Sequence, residues 1–240
     1  LKVEIWGEEF IEDGIPAVEF ADGWALTFDR FLVNVGEVAV SETGRAPVID
    51  EPGFQVHDLA ALSGPATIAE AVVPAAEYAR TAYTIAPATA ASTAANAAQA
   101  DVQRMIDDGL SVLIEGPASK GDRTVAFTWG FSTTTVYDPC HSGGIVADGA
   151  VGVVQITIHG DHLFYDDAVS EEPSLRFEDM AAADADEDGT LTEAEMAARG
   201  ILALDHYGVG SLDIDDLWGF VSHMTMTLGH IDGEGHCETH

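Results

Sequence analysis

The sequence predicts a mainly β fold, a β-sandwich with one inserted helix and a small α-helical segment at its C-terminal end. Most apolar residues fall in runs of roughly five to eight that are bounded by Gly, Pro, Asp or Ser, which is typical of sandwiches and barrels. Helical spacing is confined to one central stretch and to the last quarter of the chain. Hydrophobic residues make up 47% of the 240 residues, enough for a large core.

The predicted strands lie on both sides of the central helix. Ala25–Val40 is rich in Phe, Leu and Val and partly alternates, so it predicts a strand pair or one long bent strand. The other predicted strands are Gln55–Leu59, Ala71–Val73, Tyr78–Ile85, Ser111–Gly116, Arg123–Phe131, Thr133–Tyr137 and Gly152–Phe164. The helix is predicted over Asn96–Asp108, because Val102, Met105 and Ile106 have helical spacing and Gly109 is a natural end.

Two domains follow from this pattern. We predict a β-sandwich domain over residues 1–173 and a helical segment with a His-rich tail over residues 174–240. In the second region, Met180, Met196, Phe220 and their apolar neighbours mark two or three short helices.

Charge limits the classes of partner. The chain has 42 acidic residues and only 9 Lys plus Arg, giving a formal net charge of −33 at pH 7. Nucleic-acid binding is not expected, since no basic stripe is present to displace phosphate counterions. An anionic membrane surface would repel the chain, and no apolar run is long enough to cross a bilayer. Metal ions are the partners that the composition favours, and no protein partner is indicated.

One loop has the pattern of a calcium ligand set. Residues 184–195 read DADEDGTLTEAE, which matches D-x-D-x-D-G-x5-E and resembles the EF-hand family. The resemblance implies an EF-hand-type segment that binds Ca²⁺, with helices predicted over Leu175–Ala183 and Glu193–Arg199. The implied ligands are the carboxylates of Asp184, Asp186 and Asp188, the backbone carbonyl of Thr190 and both carboxylate oxygens of Glu195.

A second calcium loop is not expected. Asp205–Asp216 has a Gly and a terminal Asp in equivalent places, but Tyr207 and Val209 stand where side-chain ligands are needed. The segment is at best a degenerate partner loop, and Asp213 is predicted to cap the helix that follows it.

The cysteine count bears on localisation. Only Cys140 and Cys237 are present. In an exported protein two cysteines most often form one disulfide, whereas in the cytosol they would more often be unrelated buried thiols. Together with the acidity and the calcium loop, the disulfide favours an extracytoplasmic protein that is periplasmic, surface-anchored or secreted.

Of the nine histidines, two lie in the segment IHGDHLFYDD and four lie in the last eighteen residues. A disulfide would draw His141 and His236 together, so we predict a transition-metal site with these two ligands first and His159 and His230 next. Glu234 is a further candidate. Imidazole groups suit Zn and Cu, and nearby methionines favour copper.

Two alternatives stay open for the histidines. On a strand, His159 and Asp161 would share a face and His162 would point the other way, so these three are not expected to hold one ion. The other alternative is that the histidines hydrogen-bond to carboxylates and bind no metal. His57 and His206 are predicted to be structural.

A second resemblance concerns the N-terminal part. FDRFLVNVGEVAV, followed by VPAAEYARTAYTI, is similar to the strand pattern of periplasmic copper-binding sandwiches of the methanobactin-associated and CorA-like group. Members of that group hold copper with two histidines and an oxidised tryptophan, and some act beside a dihaem peroxidase-like partner. The resemblance assigns no ligand to a particular residue here, and Trp129 is the nearest candidate for the tryptophan.

The function predicted from the sequence is that of an exported, non-enzymatic metal-binding protein with one structural calcium site and a His-rich Cu or Zn site. The main alternative is an extracellular structural or adhesive protein stabilised by calcium alone. No motif of a nucleophile, phosphate loop or dinucleotide site is present. A metal-assisted hydrolase with His159 and Asp161 as ligands and Glu234 as base is a third hypothesis.

Overall fold

The computed structural model describes residues 1–233 and 235–240, so the predicted role of Glu234 lies outside the described residues. Strands hold 41% of the residues and helices 20%, and the strands form two sheets. The predicted mainly β class is confirmed.

The smaller sheet has four strands in the order β13–β11–β1–β5. They are β1 (Lys2–Trp6), β5 (Ala66–Glu70), β11 (Val153–Ile158) and β13 (Gly229–Ile231). β1 runs parallel to β11 and antiparallel to β5, and β13 is antiparallel to β11. The last of these pairings joins the tail of the chain to the sandwich.

The larger sheet has ten strands, with a main path in the order β12–β9–β8–β3–β6–β10–β14. These are β3 (Arg30–Ser41), β6 (Ala76–Ile85), β8 (Val112–Lys120), β9 (Arg123–Phe131), β10 (Thr135–Val146), β12 (Thr190–Leu191) and β14 (Cys237–Thr239). Beside this path, β2 (Ala25–Leu26) pairs with β8, and β4 (Ile49–Asp58) pairs with β3 and β7 (Thr93–Ala94).

Five short α-helices connect the strands. They are α1 (Glu8–Glu12), α2 (Gln99–Asp108), α3 (Glu178–Ala181), α4 (Glu193–Ala198) and α5 (Leu217–Met224). α2 ends as predicted at Gly109, whose φ of 65° allows its N–H to bond the Ile106 and Met105 carbonyls. No helix in the described ranges combines the length and the apolar character needed to span a membrane.

Two details of the prediction are wrong. Ala71–Val73 is not a strand: β5 ends at Glu70, and only Ala71 continues the pairing, by exchanging backbone hydrogen bonds with Leu1. The residue that caps α5 is Asp216 rather than Asp213: its side chain accepts a hydrogen bond from the Gly219 N–H at 2.8 Å.

One apolar core lies between the sheets and includes residues from both sides of the predicted boundary at 173. Phe177, which precedes α3, has its ring 5.9 Å from Phe164 and 6.3 Å from Phe127. A smaller cluster, in which Val102 and Met105 of α2 meet Leu32 and Val56, lies apart from this core. The helical segment therefore packs into the sandwich core.

The predicted disulfide is present. Cys140 of β10 is bonded to Cys237 of β14, and the same two residues are partners in the strand register. Backbone hydrogen bonds between Val136 and His240 extend the pairing to the last residue. The tail is thus attached to the smaller sheet through β13 and to the larger sheet through β14.

We predict that the double variant Cys140→Ser/Cys237→Ser is less stable than the wild type. The bond spans 97 residues of sequence, for which the chain-entropy model gives about 4–5 kcal/mol as an upper value. Denaturant unfolding measures the loss, and thiol titration of the denatured, unreduced wild type should find no free thiol. Two free thiols would contradict the disulfide.

Candidate metal centre

The segment after β11 does not continue as a strand. Residues Gly160–Phe164 form a 3-10 helix, and His159 precedes it as the N-cap. Side chains three residues apart eclipse each other in a 3-10 helix, so His159 and His162 come to the same side. The prediction that a strand would separate them is wrong. The Gly160-Asp161 pair between the histidines is a turn signal that could have corrected it.

His230 reaches the same place from another part of the chain. In the register of β11 with β13, Thr157 is the partner of His230, and the His159 N–H donates to the Leu228 carbonyl at 2.9 Å. His159 lies two residues beyond Thr157 and so continues the same face of the strand. His230 therefore meets His159 across the edge of the smaller sheet.

The three imidazole rings form a tight group, which we call the triple-His cluster: His159, His162 and His230. Their ring centroids are 4.4 Å apart for His159 and His230, 5.1 Å for His162 and His230, and 5.2 Å for His159 and His162. Ligand atoms of His159, Asp161 and His162 all lie within 4.8 Å of one another. All three rings are at least nine-tenths buried.

The hydrogen bonds of His162 define which of its nitrogens is available. Thr227 donates its hydroxyl hydrogen to the Met224 carbonyl at 2.9 Å, so its oxygen acts as acceptor toward His162 Nδ1 at 3.0 Å. Nδ1 then carries the proton and Nε2 presents its lone pair. Burial, followed by the neighbouring His230 and His159, lowers the pKa of His162 from 6.5 to about 3, which keeps the ring neutral.

A carboxylate lies close to the Nδ1 side of His159. Its Nδ1 lies 3.8 Å from Glu8 Oε2, while its Nε2 is buried and has no hydrogen-bond partner among the described residues. Glu8 adopts a φ of 54°, a left-handed conformation that a non-glycine residue rarely takes. A carboxylate behind a histidine is the usual arrangement around a metal-bound imidazole.

Tyrosines of the larger sheet hold the backbone of the His230 segment. Tyr83 and Tyr137 stack with ring centroids 4.5 Å apart. The Tyr83 hydroxyl donates to the His230 carbonyl at 3.1 Å, and the Gly229 N–H donates to the Tyr137 hydroxyl oxygen at 3.1 Å. A Cβ at Gly229 would lie 2.5 Å from the Tyr83 oxygen, so only glycine permits this approach.

The other predicted ligands are placed differently. His236 is exposed, and its ring centroid lies 5.6 Å from that of His230. His141 is exposed on β10 opposite Arg80, and within the described ranges its ring contacts neither His236 nor the triple-His cluster. β14 begins at Cys237, so His236 leaves the ladder and turns toward His230 rather than His141. Trp129 is fully buried, and its Nε1–H donates to the Leu191 carbonyl.

The aspartates of the predicted calcium loop converge. Carboxylate oxygens of Asp184, Asp186 and Asp188 lie within 4.8 Å of one another, and Gly189 makes the turn with a φ of 82°. Glu195 lies across the loop, where Oε1 accepts from the Ala185 N–H at 3.2 Å and Oε2 from the Thr192 N–H at 3.0 Å. These backbone hydrogen bonds lower the pKa of Glu195 and favour the charged form that Ca²⁺ requires.

The calcium loop joins the sandwich directly. Its Thr190–Leu191 segment is β12, which pairs with Ala126 and Phe127 of β9. Leu191 is fully buried, and its carbonyl accepts the hydrogen bond of Trp129. The backbone of this segment is therefore paired within the larger sheet.

His57 is a buried histidine outside the triple-His cluster and serves as a comparison for it. It is 2% exposed, and neither ring nitrogen has a hydrogen-bond partner in the described part of the chain. Burial lowers the pKa of His57 from 6.5 to about 4. His57 belongs to neither of the two groups of possible metal ligands found among the described residues. An unpaired imidazole alone thus does not mark a metal centre.

We predict that His57 makes the fold sensitive to acid. The unfolded chain takes up this proton near pH 6.5 and the folded chain near pH 4. Stability is therefore lost as the pH falls between these values, by about 3 kcal/mol for this group. Denaturant unfolding of the wild type and His57→Leu at pH 7.5, 5.5 and 4.5 should show a difference that changes with pH. A constant difference would refute the assignment, and exposed His206→Gln is the control.

No protein-family model matches the chain, and neither a curated protein nor a solved structure is significantly similar to it. The function is therefore inferred from the geometry of the triple-His cluster and of the loop 184–195.

Proposed function

We propose that this protein is an extracytoplasmic metal-binding protein whose triple-His cluster holds one Cu²⁺ or Zn²⁺ ion. The observation that carries the proposal is the close packing of three buried imidazoles, one of which, His159, has a buried Nε2 without a hydrogen-bond partner among the described residues. Leaving such an atom unpaired costs about 1–3 kcal/mol. A metal ion would satisfy it, and imidazole nitrogen suits both of these metals.

Asp161 completes the proposed ligand set. Its carboxylate is close to both His159 and His162, and Tyr165 orients it by donating a hydrogen bond to Oδ2 at 3.2 Å. Three imidazoles and one carboxylate oxygen make four donors, and zinc can also take a fifth ligand. His236 is the next nearest imidazole.

The disulfide supports an extracytoplasmic location, because such bonds form and persist in oxidising compartments. The large negative charge is compatible with a cation-rich medium, since the field of the chain attracts metal ions.

We expect apo protein without a His tag to take up one equivalent of Zn²⁺ or Cu²⁺, and His162→Ala to weaken binding by at least about 100-fold, more than loss of an outer-shell partner. Competition with a chromophoric chelator gives the affinity, and elemental analysis gives the stoichiometry. The exposed His206→Ala variant is the matched control. Equal affinity of His162→Ala and the wild type would refute the site.

A milder pair of variants addresses the role of Thr227. Thr227→Val removes the acceptor of His162 Nδ1 at nearly constant volume. It should weaken metal binding by about 10–100-fold, as loss of outer-shell partners usually does. Thr227→Ser keeps the hydroxyl and should bind like the wild type.

We further propose that the loop 184–195 binds one Ca²⁺. The three converging aspartates and the position of Glu195 across the loop support it. Because β12 belongs to the larger sheet, calcium would stabilise the sandwich itself.

The pairing of β12 with the larger sheet also favours the second candidate function, a structural protein in which calcium stiffens the fold and the histidines bind nothing. Elemental analysis distinguishes the two: calcium alone, or calcium with an equivalent of copper or zinc.

The Glu195→Gln variant should bind Ca²⁺ at least about tenfold more weakly, because it replaces the carboxylate that would supply two oxygens. For the wild type, Ca²⁺ at a hundredfold excess over its Kd should add about 2.7 kcal/mol to the free energy of unfolding. Thermal unfolding with and without EDTA measures this gain. Glu193→Gln, two residues earlier and outside the proposed ligand set, is the control. A melting temperature that EDTA leaves unchanged would mean that the loop binds no calcium.

A further inference from the structure

The triple-His cluster lies at the floor of an open cleft of about 460 Å³. His162 and His230 line the cleft, whereas His159 and Asp161 do not. His159 is 94% buried behind them, since only 6% of its side chain is exposed. Within the cluster, His162 and His230 thus reach the cleft, and His159 does not.

We propose that the metal ion keeps an exchangeable coordination position on the cleft side, where it binds a small neutral nitrogen donor such as an imidazole or amine. This inference rests on the proposed function. Structural zinc sites are closed by protein ligands, whereas sites that react or exchange keep one position open to water or another ligand. A water molecule occupies about 30 Å³ in the liquid, so the cleft has room for a ring as well as for water.

The walls of the cleft indicate which ligands can enter. Asp167 and Glu171 contribute carboxylates, Met224 contributes an apolar wall, and no Lys or Arg lines the cleft in the described ranges. The whole chain carries a net charge of −33. The cleft carboxylates and the net charge would both repel an anion that approaches the metal, whereas they would not repel a neutral donor.

His236 is the internal competitor for this position. It lines the cleft, is exposed, and has its ring centroid 5.6 Å from that of His230. The structure therefore places an exposed imidazole in the cleft, next to a cluster member that also lines it.

The test uses the full disulfide-bonded chain loaded with one equivalent of Cu²⁺, with the metal content measured before any ligand is added. Imidazole and azide are then titrated separately and followed by visible absorption and electron paramagnetic resonance. We expect imidazole to shift both spectra with one-site saturation while the copper stays bound through gel filtration. Azide should bind at least tenfold more weakly. Glu171→Gln should reduce that difference severalfold, and Glu172→Gln, the same charge change outside the cleft, should not.

Each other outcome is informative. If no copper binds, the proposed function fails and this inference fails with it. If copper binds but imidazole changes neither spectrum, or removes the copper, only the open position is refuted. If imidazole binds only in the His236→Ala variant, His236 itself occupies the position and closes it, which also overturns the inference. If azide binds as tightly as imidazole, the proposed selectivity is wrong.

Discussion

The antiparallel pairing of β13 with β11 is the constraint on which the candidate metal centre depends. It sets Thr157 opposite His230, and so brings His230 close to His159 and His162. A slip of one residue would turn His230 to the other face of the strand. The Tyr83 and Tyr137 hydroxyls oppose such a slip, because both hold the backbone of the same segment from the larger sheet. The tail is therefore positioned by both sheets.

Burial and charge act in opposite directions on the triple-His cluster. An excess of carboxylates favours protonated imidazoles, but desolvation and the neighbouring rings lower the pKa of His162 far below neutrality. The His162 ring thus remains neutral in a molecule whose overall field attracts cations. Neutral imidazole is the form that binds metal, so the two effects are compatible near neutral pH.

Strand pairing at the edge of the larger sheet supports the loop 184–195. Paired EF-hand loops support each other, but here β12 pairs with β9 and Leu191 is buried beside Trp129. The larger sheet therefore supports the loop 184–195 directly through strand pairing.

The sequence alone determined the features that depend on local spacing. Period-two runs predicted most strands, Gly109 predicted the end of α2, and the loop 184–195 was recognisable because its candidate ligands are close in sequence. The two cysteines predicted their own bond because the chain offers no other pairing. Tertiary structure decided which histidines meet. Residues 159–164 have the apolar character of a strand, yet after Ile158 the chain turns at Gly160, which packs against Ile11. That turn and the β11–β13 register bring His159, His162 and His230 together and leave His141 apart. The sequence could not predict this grouping, because the pairing that produces it joins residues about seventy positions apart and has no local signature.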